Sequence, residues 1–251
     1  MFDDLGKRMK ENYEGISKVR LTRRTPVIIR LDGKAFHTFT KGLKKPFDEI
    51  LMKTMQDTML ELCSTVQGCV LGYTQSDEIT LVLVDYKKFN SSAWFDNELQ
   101  KLVSISASLA TLAFNKYFHH NTIDANLSME EEDLYASKFL KAIFDSRAFN
   151  IPKEEVANCI LWREFDAERN SVQMVGQANF SHKDLQKKSC ADIKKMLIEQ
   201  KSINWDELPT DKKHGCCAIR KNGKWVIDHD TPMFLAENKK YIDSLLKPEE
   251  E

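Results

Sequence analysis

The sequence predicts an α+β protein: a βαββαβ (ferredoxin-like) antiparallel sheet with its helices on one face, followed by a helical extension and a C-terminal β-hairpin. Three observations carry this. An apolar run from Thr25 to His37 ends abruptly in the pair Asp32-Gly33. Two strand-like runs between Cys69 and Tyr86 flank the polar segment Thr74 to Glu78. Apolar residues at helical spacing fill the stretches between these runs.

In chain order, residues 1 to 24 read as an amphipathic helix and a basic connector. Val27, Ile28, Ile29 and Leu31 then make a buried strand that delivers Asp32 to its end, with Gly33 permitting a sharp turn. From Pro46 to Gln67, Phe47, Leu51, Met55, Leu62 and Val66 recur mostly at four-residue steps, with Asp48 and Glu49 in the first turn; Gly68 closes this helix. CVLGYTQSDEITLVLVDY reads as a β-hairpin with Asp77 and Glu78 at its turn. A second helix runs from Trp94 to Phe118, its small residues suited to close packing on a sheet.

Ser128 with Glu131 is a capping-box pattern, so the acid run from Glu130 to Asp133 reads as a helix start. Ser146 to Pro152 is a short strand. Residues from Lys153 to about Gln200 are helical, with Ser181 and Ser189 as caps, and Asn222-Gly223 signals a two-residue hairpin. The expected organisation is a single compact domain over residues 1–251, with a catalytic core over 22–152 and the helical extension and hairpin over 153–251.

The composition narrows the function classes. A formal net charge of -1 argues against a uniformly basic nucleic-acid binder and leaves local patches as the only basic sites. The six cysteines show no CxxC pair and no zinc spacing, which reads as reduced thiols in the cytoplasm. No run of about 18 apolar residues occurs, so no membrane contact is expected.

The chemistry centres on carboxylates. In a βαββαβ sheet the first strand and the hairpin are neighbours, which brings Asp32, Asp77 and Glu78 to one sheet edge. Crowded carboxylates repel unless cations neutralise them, and two Mg²⁺ about 3.5 to 4 Å apart would suit in-line displacement at phosphorus. The bland alternative is an ordinary Asp-Gly turn and a solvated hairpin tip. Lys34, Lys41, Lys44 and Lys45 follow Asp32 and could contact a triphosphate or be a solvated loop; His37 could bond a phosphate or simply pack between Phe36 and Phe39. There is no P-loop.

RLDGKAFHTF at Arg30 to Phe39, Lys45-Pro46 with Asp48, GYTQSDE at Gly72 to Glu78 and WREFDAERNS at Trp162 to Ser171 resemble the histidine-tRNA guanylyltransferase superfamily, most closely its bacterial and archaeal guanylyltransferase-like members. The resemblance implies a polymerase-palm-like core that adds nucleotides to the 5′ end of tRNA, in the 3′-to-5′ direction, after activation of a 5′-monophosphate by ATP or GTP. It implies that Asp32, Asp77 and the Gly33 carbonyl hold two Mg²⁺, with Glu78 as the adjoining catalytic acid. His37, Lys45, Ser76, Lys101 and Asn170 would contact the nucleotide, and Lys34 joins them as a candidate from its place just after Asp32. Where eukaryotic members carry His-Ile-Asn-Asn before a Tyr, this chain has Glu168-Arg169-Asn170-Ser171 with Gln173 at the Tyr position. That departure fits template-dependent repair of 5′-truncated tRNA better than untemplated guanylate addition. The resemblance also implies a homotetramer.

Two other readings stand beside this one. A nucleotidyl or diguanylate cyclase shares the palm, although the hairpin here lacks a Gly-Gly lead. A non-catalytic tRNA scaffold would use Arg20, Arg23, Arg24, Lys183, Lys187 and Lys188 on phosphates.

Overall fold

The computed structural model describes residues 2–248; Met1 and residues 249–251, the ends of the expected 1–251 unit, lie outside it. Helix α1 (Phe2–Asn12) opens the chain, and β1 (Val27–Gly33) leads directly to the one-turn helix α2 (Phe36–Phe39). Then come α3 (Glu49–Thr65), the hairpin β2 (Cys69–Gln75) and β3 (Glu78–Leu83), α4 (Leu99–Ile123), α5 (Met129–Ala136) and β4 (Phe144–Asn150). The rest comprises α6 (Val156–Asn179), α7 (His182–Leu185), α8 (Cys190–Lys201), α9 (Thr210–His214), β5 (Cys216–Lys221), β6 (Lys224–Asp228) and α10 (Lys239–Leu245).

All six strands form one antiparallel sheet in the order β4-β1-β3-β2-β5-β6. The C-terminal hairpin therefore prolongs the main sheet instead of standing apart. Its turn is as the residues demand: Asn222 and Gly223 both take positive φ, 53° and 78°.

Helices cover both faces of the sheet: α3 and α4 share one, and α6 and α10, from the extension after Lys153, cover the other. Ile29, Leu31, Ile79 and Leu81 pack under α3 and α4 against Met59 and Phe114. On the other side Ile28 and Val82 meet Ile160 of α6, Ile242 of α10 and Phe234. The physical reason is in β1 and β3, which are apolar on both faces over most of their length and cannot leave one to water. Each fully buried Ile or Leu contributes about 1.5 to 3 kcal/mol by leaving water.

The small residues of α4 do what their size permits. Ser106, Ala110 and Ala113 are buried against the sheet, and the Ser106 and Ser146 hydroxyls meet at 2.7 Å between α4 and β4. The helix starts later than its apolar spacing suggests, because Phe95, Asp96 and Asn97 all take positive φ in a tight turn ahead of Leu99. Capping boxes at Ser128, Ser181 and Ser189 start α5, α7 and α8. The break before α7 also divides the long helix expected after Lys153.

Candidate active site

The end of β1 and the β2–β3 turn form one rigid edge. Asp32 lies across from Glu78 on one side and from Asp145 of β4 on the other. The turn itself is only Ser76 and Asp77, with Ser76 at positive φ, and the Asp77 carbonyl accepts the Gly33 N–H at 3.0 Å. Gly33 has to be glycine here: a Cβ would lie 2.3 Å from the Phe36 ring, which α2 folds back under the strand end. Thr74 and Gln75, expected in the turn, belong to β2 and are buried.

Asp77 is acceptor to the Ser76 hydroxyl at 3.0 Å, and neither Asp32 nor Asp77 has an ion-pair partner among the described residues. Burial pushes the Asp77 carboxyl up from its ordinary value, and the nearby Asp32 charge adds to the shift. Glu78 departs from expectation. Arg163 of α6 binds its two oxygens through Nε at 2.7 Å and Nη2 at 2.9 Å, and both side chains are buried. That carboxylate is committed to the helix and is not free to face a substrate. Burial still lifts its pKa, against the pull of Arg163.

A cavity of about 550 Å³ opens beside this edge. Gly33, His37, Lys45, Ser76 and Asp77 line it, with Met174 and Gln177 of α6 as the facing wall. A narrower pocket of about 90 Å³ shares Ser76 and Met174 with it and contains Asn170. Asp48 shapes the lysine side of the cavity: it caps α3 through Leu51 N–H at 2.9 Å, accepts Lys44 N–H at 3.0 Å and takes the Tyr135 hydroxyl. Lys138 braces the same loop by donating to the carbonyls of Phe39 and Lys41 at 2.6 and 2.8 Å.

Asp32, Gly33, His37, Lys45, Ser76, Asp77 and Asn170 are thus brought together, and Lys34 is exposed immediately after the strand end. Lys44 pairs with Glu131 at 3.1 Å. Lys101 is not brought there. β3 runs away from the site, so the first turn of α4 sits at the opposite end of the sheet, where Lys101 lies near Glu98 and Phe95. Arg20 and Arg23, offered above as phosphate contacts, are held in ion pairs with Asp85 and Asp96.

The donor set fits a hard divalent cation. Among the described residues no group of three or more Asp, Glu, His or Cys side chains converges as a metal cage. Two carboxylates without a cation of their own, beside a nucleotide-sized cavity, match the way Mg²⁺ is held by one or two acids together with substrate phosphates.

The sequence model of the family Thg1, tRNAHis guanylyltransferase, matches residues 6–152. The chain belongs to this family. It is a nucleotidyltransferase of the Thg1 type. Among solved structures, a bacterial tRNA(His) guanylyltransferase (Thg1)-like protein in complex with ATP is 40% identical, with 97% of this chain and 99% of that chain covered and a TM-score of 0.86. A bacterial Thg1-like protein in complex with GTP is 36% identical over 96% of this chain and 99% of that one, with a TM-score of 0.76. The tRNA(His) guanylyltransferase of Schizosaccharomyces pombe is 27% identical, with 94% of this chain and 88% of that protein covered.

Sequence reasoning missed Arg163, which holds Glu78 in this Thg1-type site, and Asp145, which lies across from Asp32 and pairs with Arg147. Arg163 stood inside the quoted WREFDAERNS motif; Asp145 was left out because the fourth strand was started at Ser146 instead of Phe144.

Proposed function

We propose that this protein adds nucleotides to the 5′ end of tRNA in the 3′-to-5′ direction, under template control, and so repairs 5′-truncated tRNA. The observation that carries the reading is the pair Asp32 and Asp77, unneutralised by any protein cation among the described residues, with Asp77 on the wall of a triphosphate-sized cavity and Asp32 beside it at the strand end. The likeness to ATP- and GTP-bound bacterial Thg1-like proteins over nearly the whole chain supports it. The retention of Asn170 alone from the eukaryotic asparagine motif supports the repair branch.

In this reading the βαββαβ unit serves as a polymerase-type palm. Asp32, Asp77 and the Gly33 carbonyl hold two Mg²⁺, which supply positive charge to the phosphoryl oxygens. Lys34, His37, Lys45, Ser76 and Asn170 orient the nucleotide. Orientation matters because the 3′-hydroxyl of the incoming nucleotide must approach the activated 5′-phosphate in line. The lysine side of the cavity is pre-shaped by Asp48 and Lys138, which costs no reorganisation when substrate arrives. We further propose that the chain works as one domain, as a homotetramer in the cytoplasm without membrane contact. Among the described residues no helix is long and apolar enough to cross a membrane.

The test is direct. Incubation with a 5′-truncated tRNA, Mg²⁺ and nucleoside triphosphates is expected to lengthen the 5′ end, and Asp32→Ala is expected to abolish this. Absence of extension by the unaltered protein, or normal extension by Asp32→Ala, would overturn the reading.

A further inference from the structure

We infer that Arg163 is a positioning residue for the reaction: it latches the acidic hairpin to α6 and withdraws Glu78 from the acids that face substrate. The inference rests on Asp32 and Asp77 being the cation-facing pair.

Glu78 is placed where a third site carboxylate would be expected. It follows Asp77 in sequence, lies across from Asp32 in register and closes the turn by pairing with Gln75. Its side chain is nonetheless turned to α6 and gripped by the Nε and Nη2 donors along one edge of the Arg163 guanidinium. Arg163 is fixed in turn, since it donates to Asp166 at 2.8 Å and lies 4.4 Å from the Trp162 ring centre. The same helix supplies Asn170, Met174 and Gln177 to the two pockets. One bidentate pair therefore sets the spacing between the acid-bearing edge and the opposite wall of the nucleotide cavity. Among the described residues it also leaves Asp32 and Asp77 as the carboxylates without an ion pair at that edge, Asp145 being paired with Arg147 at 3.2 Å.

Lysine could neutralise Glu78 but could not reproduce the two-bond fork or the stacking on Trp162. Methionine would keep the packing volume and leave Glu78 unpaired next to Asp32 and Asp77. The two substitutions therefore separate charge from geometry.

The experiment compares Arg163→Met, Arg163→Lys, Glu78→Gln and the double variant Glu78→Gln/Arg163→Met. Three measurements are made: 5′-end addition, Mn²⁺ binding to the protein alone by electron paramagnetic resonance, and thermal unfolding. Arg163→Met is expected to lose about 100-fold in addition, about ten-fold for the missing latch and about ten-fold for the freed Glu78 charge at the edge. Its Mn²⁺ binding should tighten several-fold, because the released Glu78 carboxylate adds charge at the edge. Arg163→Lys should lose about ten-fold in addition, with Mn²⁺ affinity unchanged. Glu78→Gln should also lose about ten-fold, for the fork loses its charged acceptor. The double variant should match Glu78→Gln in addition and the unaltered protein in Mn²⁺ affinity.

Weaker addition together with stronger metal binding is a pairing that simple loss of structure does not give. If Arg163→Met unfolds, the double variant carries the test, since it removes both charges of the buried pair. The inference is overturned if Glu78→Gln is as inactive as Asp77→Asn, if Arg163→Met leaves Mn²⁺ affinity unchanged, or if the double variant fails to recover. A protein that never extends tRNA would overturn the proposed function and leave the Mn²⁺ comparison readable.

Discussion

The two ends of the central strands both carry acids, and they treat them in opposite ways. At the end where β1 begins, Asp85 is buried and accepts Arg23 Nε at 2.6 Å and the Arg24 N–H at 2.8 Å, while Asp96 pairs with Arg20 and Arg23. At the end where β1 stops, Asp32 and Asp77 stand side by side with a serine hydroxyl as company. An acid answered by the protein's own cations is finished as a structural element. Two adjacent acids left without such cations hold unfavourable charge, and a folded chain keeps that arrangement where a ligand completes it.

The largest effect should come from breaking the unneutralised pair. With Asp32 and Asp77 as the proposed metal-holding pair, Asp77→Asn or Asp32→Asn is expected to lower 5′-end addition by at least about a thousand-fold, since several kcal/mol of phosphoryl charge stabilisation would go with a lost metal. Stability should move the other way. Removing one of two like charges, one of them with a burial-raised pKa, should leave the unfolding free energy unchanged or raise it by up to about 1 kcal/mol. Thermal unfolding beside the addition assay checks both halves. A variant that lost activity and stability together would make Asp77 a structural acid like Asp85.

A third kind of acid sharpens the contrast. Glu164 on α6 is 1% exposed, accepts the Phe234 N–H at 2.9 Å and has no cationic partner among the described residues. Burial pushes its carboxyl up to about 7, against an ordinary value of 4.5. Because the folded form holds its proton more tightly than the unfolded chain, the stability it contributes is complete below about pH 4.5 and falls as pH rises through about 7. Glu164→Gln keeps an acceptor for Phe234 and removes the charge. It should raise stability by roughly 3 kcal/mol at pH 8, with little change at pH 4. Denaturant unfolding at the two pH values measures this, and an equal effect at both would show that Glu164 does not titrate in that window.

How far the sequence could be read follows the range of the forces involved. β1, the hairpin acids, the three capping boxes and the Asn222-Gly223 turn are local patterns, and each residue involved acts on neighbours within a few positions. The meeting of Asp32 with Asp77 was legible because strand order alone places it. What was not legible depends on long-range packing. Glu78 and Arg163 are 85 positions apart, and only the laying of α6 on the second sheet face joins them. Lys101 was misplaced for the complementary reason: a lysine match says nothing of which end of the sheet a helix starts from.

The smallest effect belongs to the finished end, and it tests whether that end is only structural. Asp85→Ala removes an acceptor from Arg23 Nε and from the Arg24 backbone, and Arg24 sits at positive φ, where its N–H has been aimed at this carboxylate. Arg23 is half exposed and can turn to water, so the cost falls mainly on the part-buried Arg24 backbone donor. A loss of about 2 kcal/mol is expected, or about 5 °C in Tm for a chain of this length. Addition per folded molecule should stay within about two-fold, because the pair lies at the end of β1 away from the cavity. A large loss of addition with Tm unchanged would show that the arginine-rich end takes part in the reaction, and the division between the two ends of the sheet would fall.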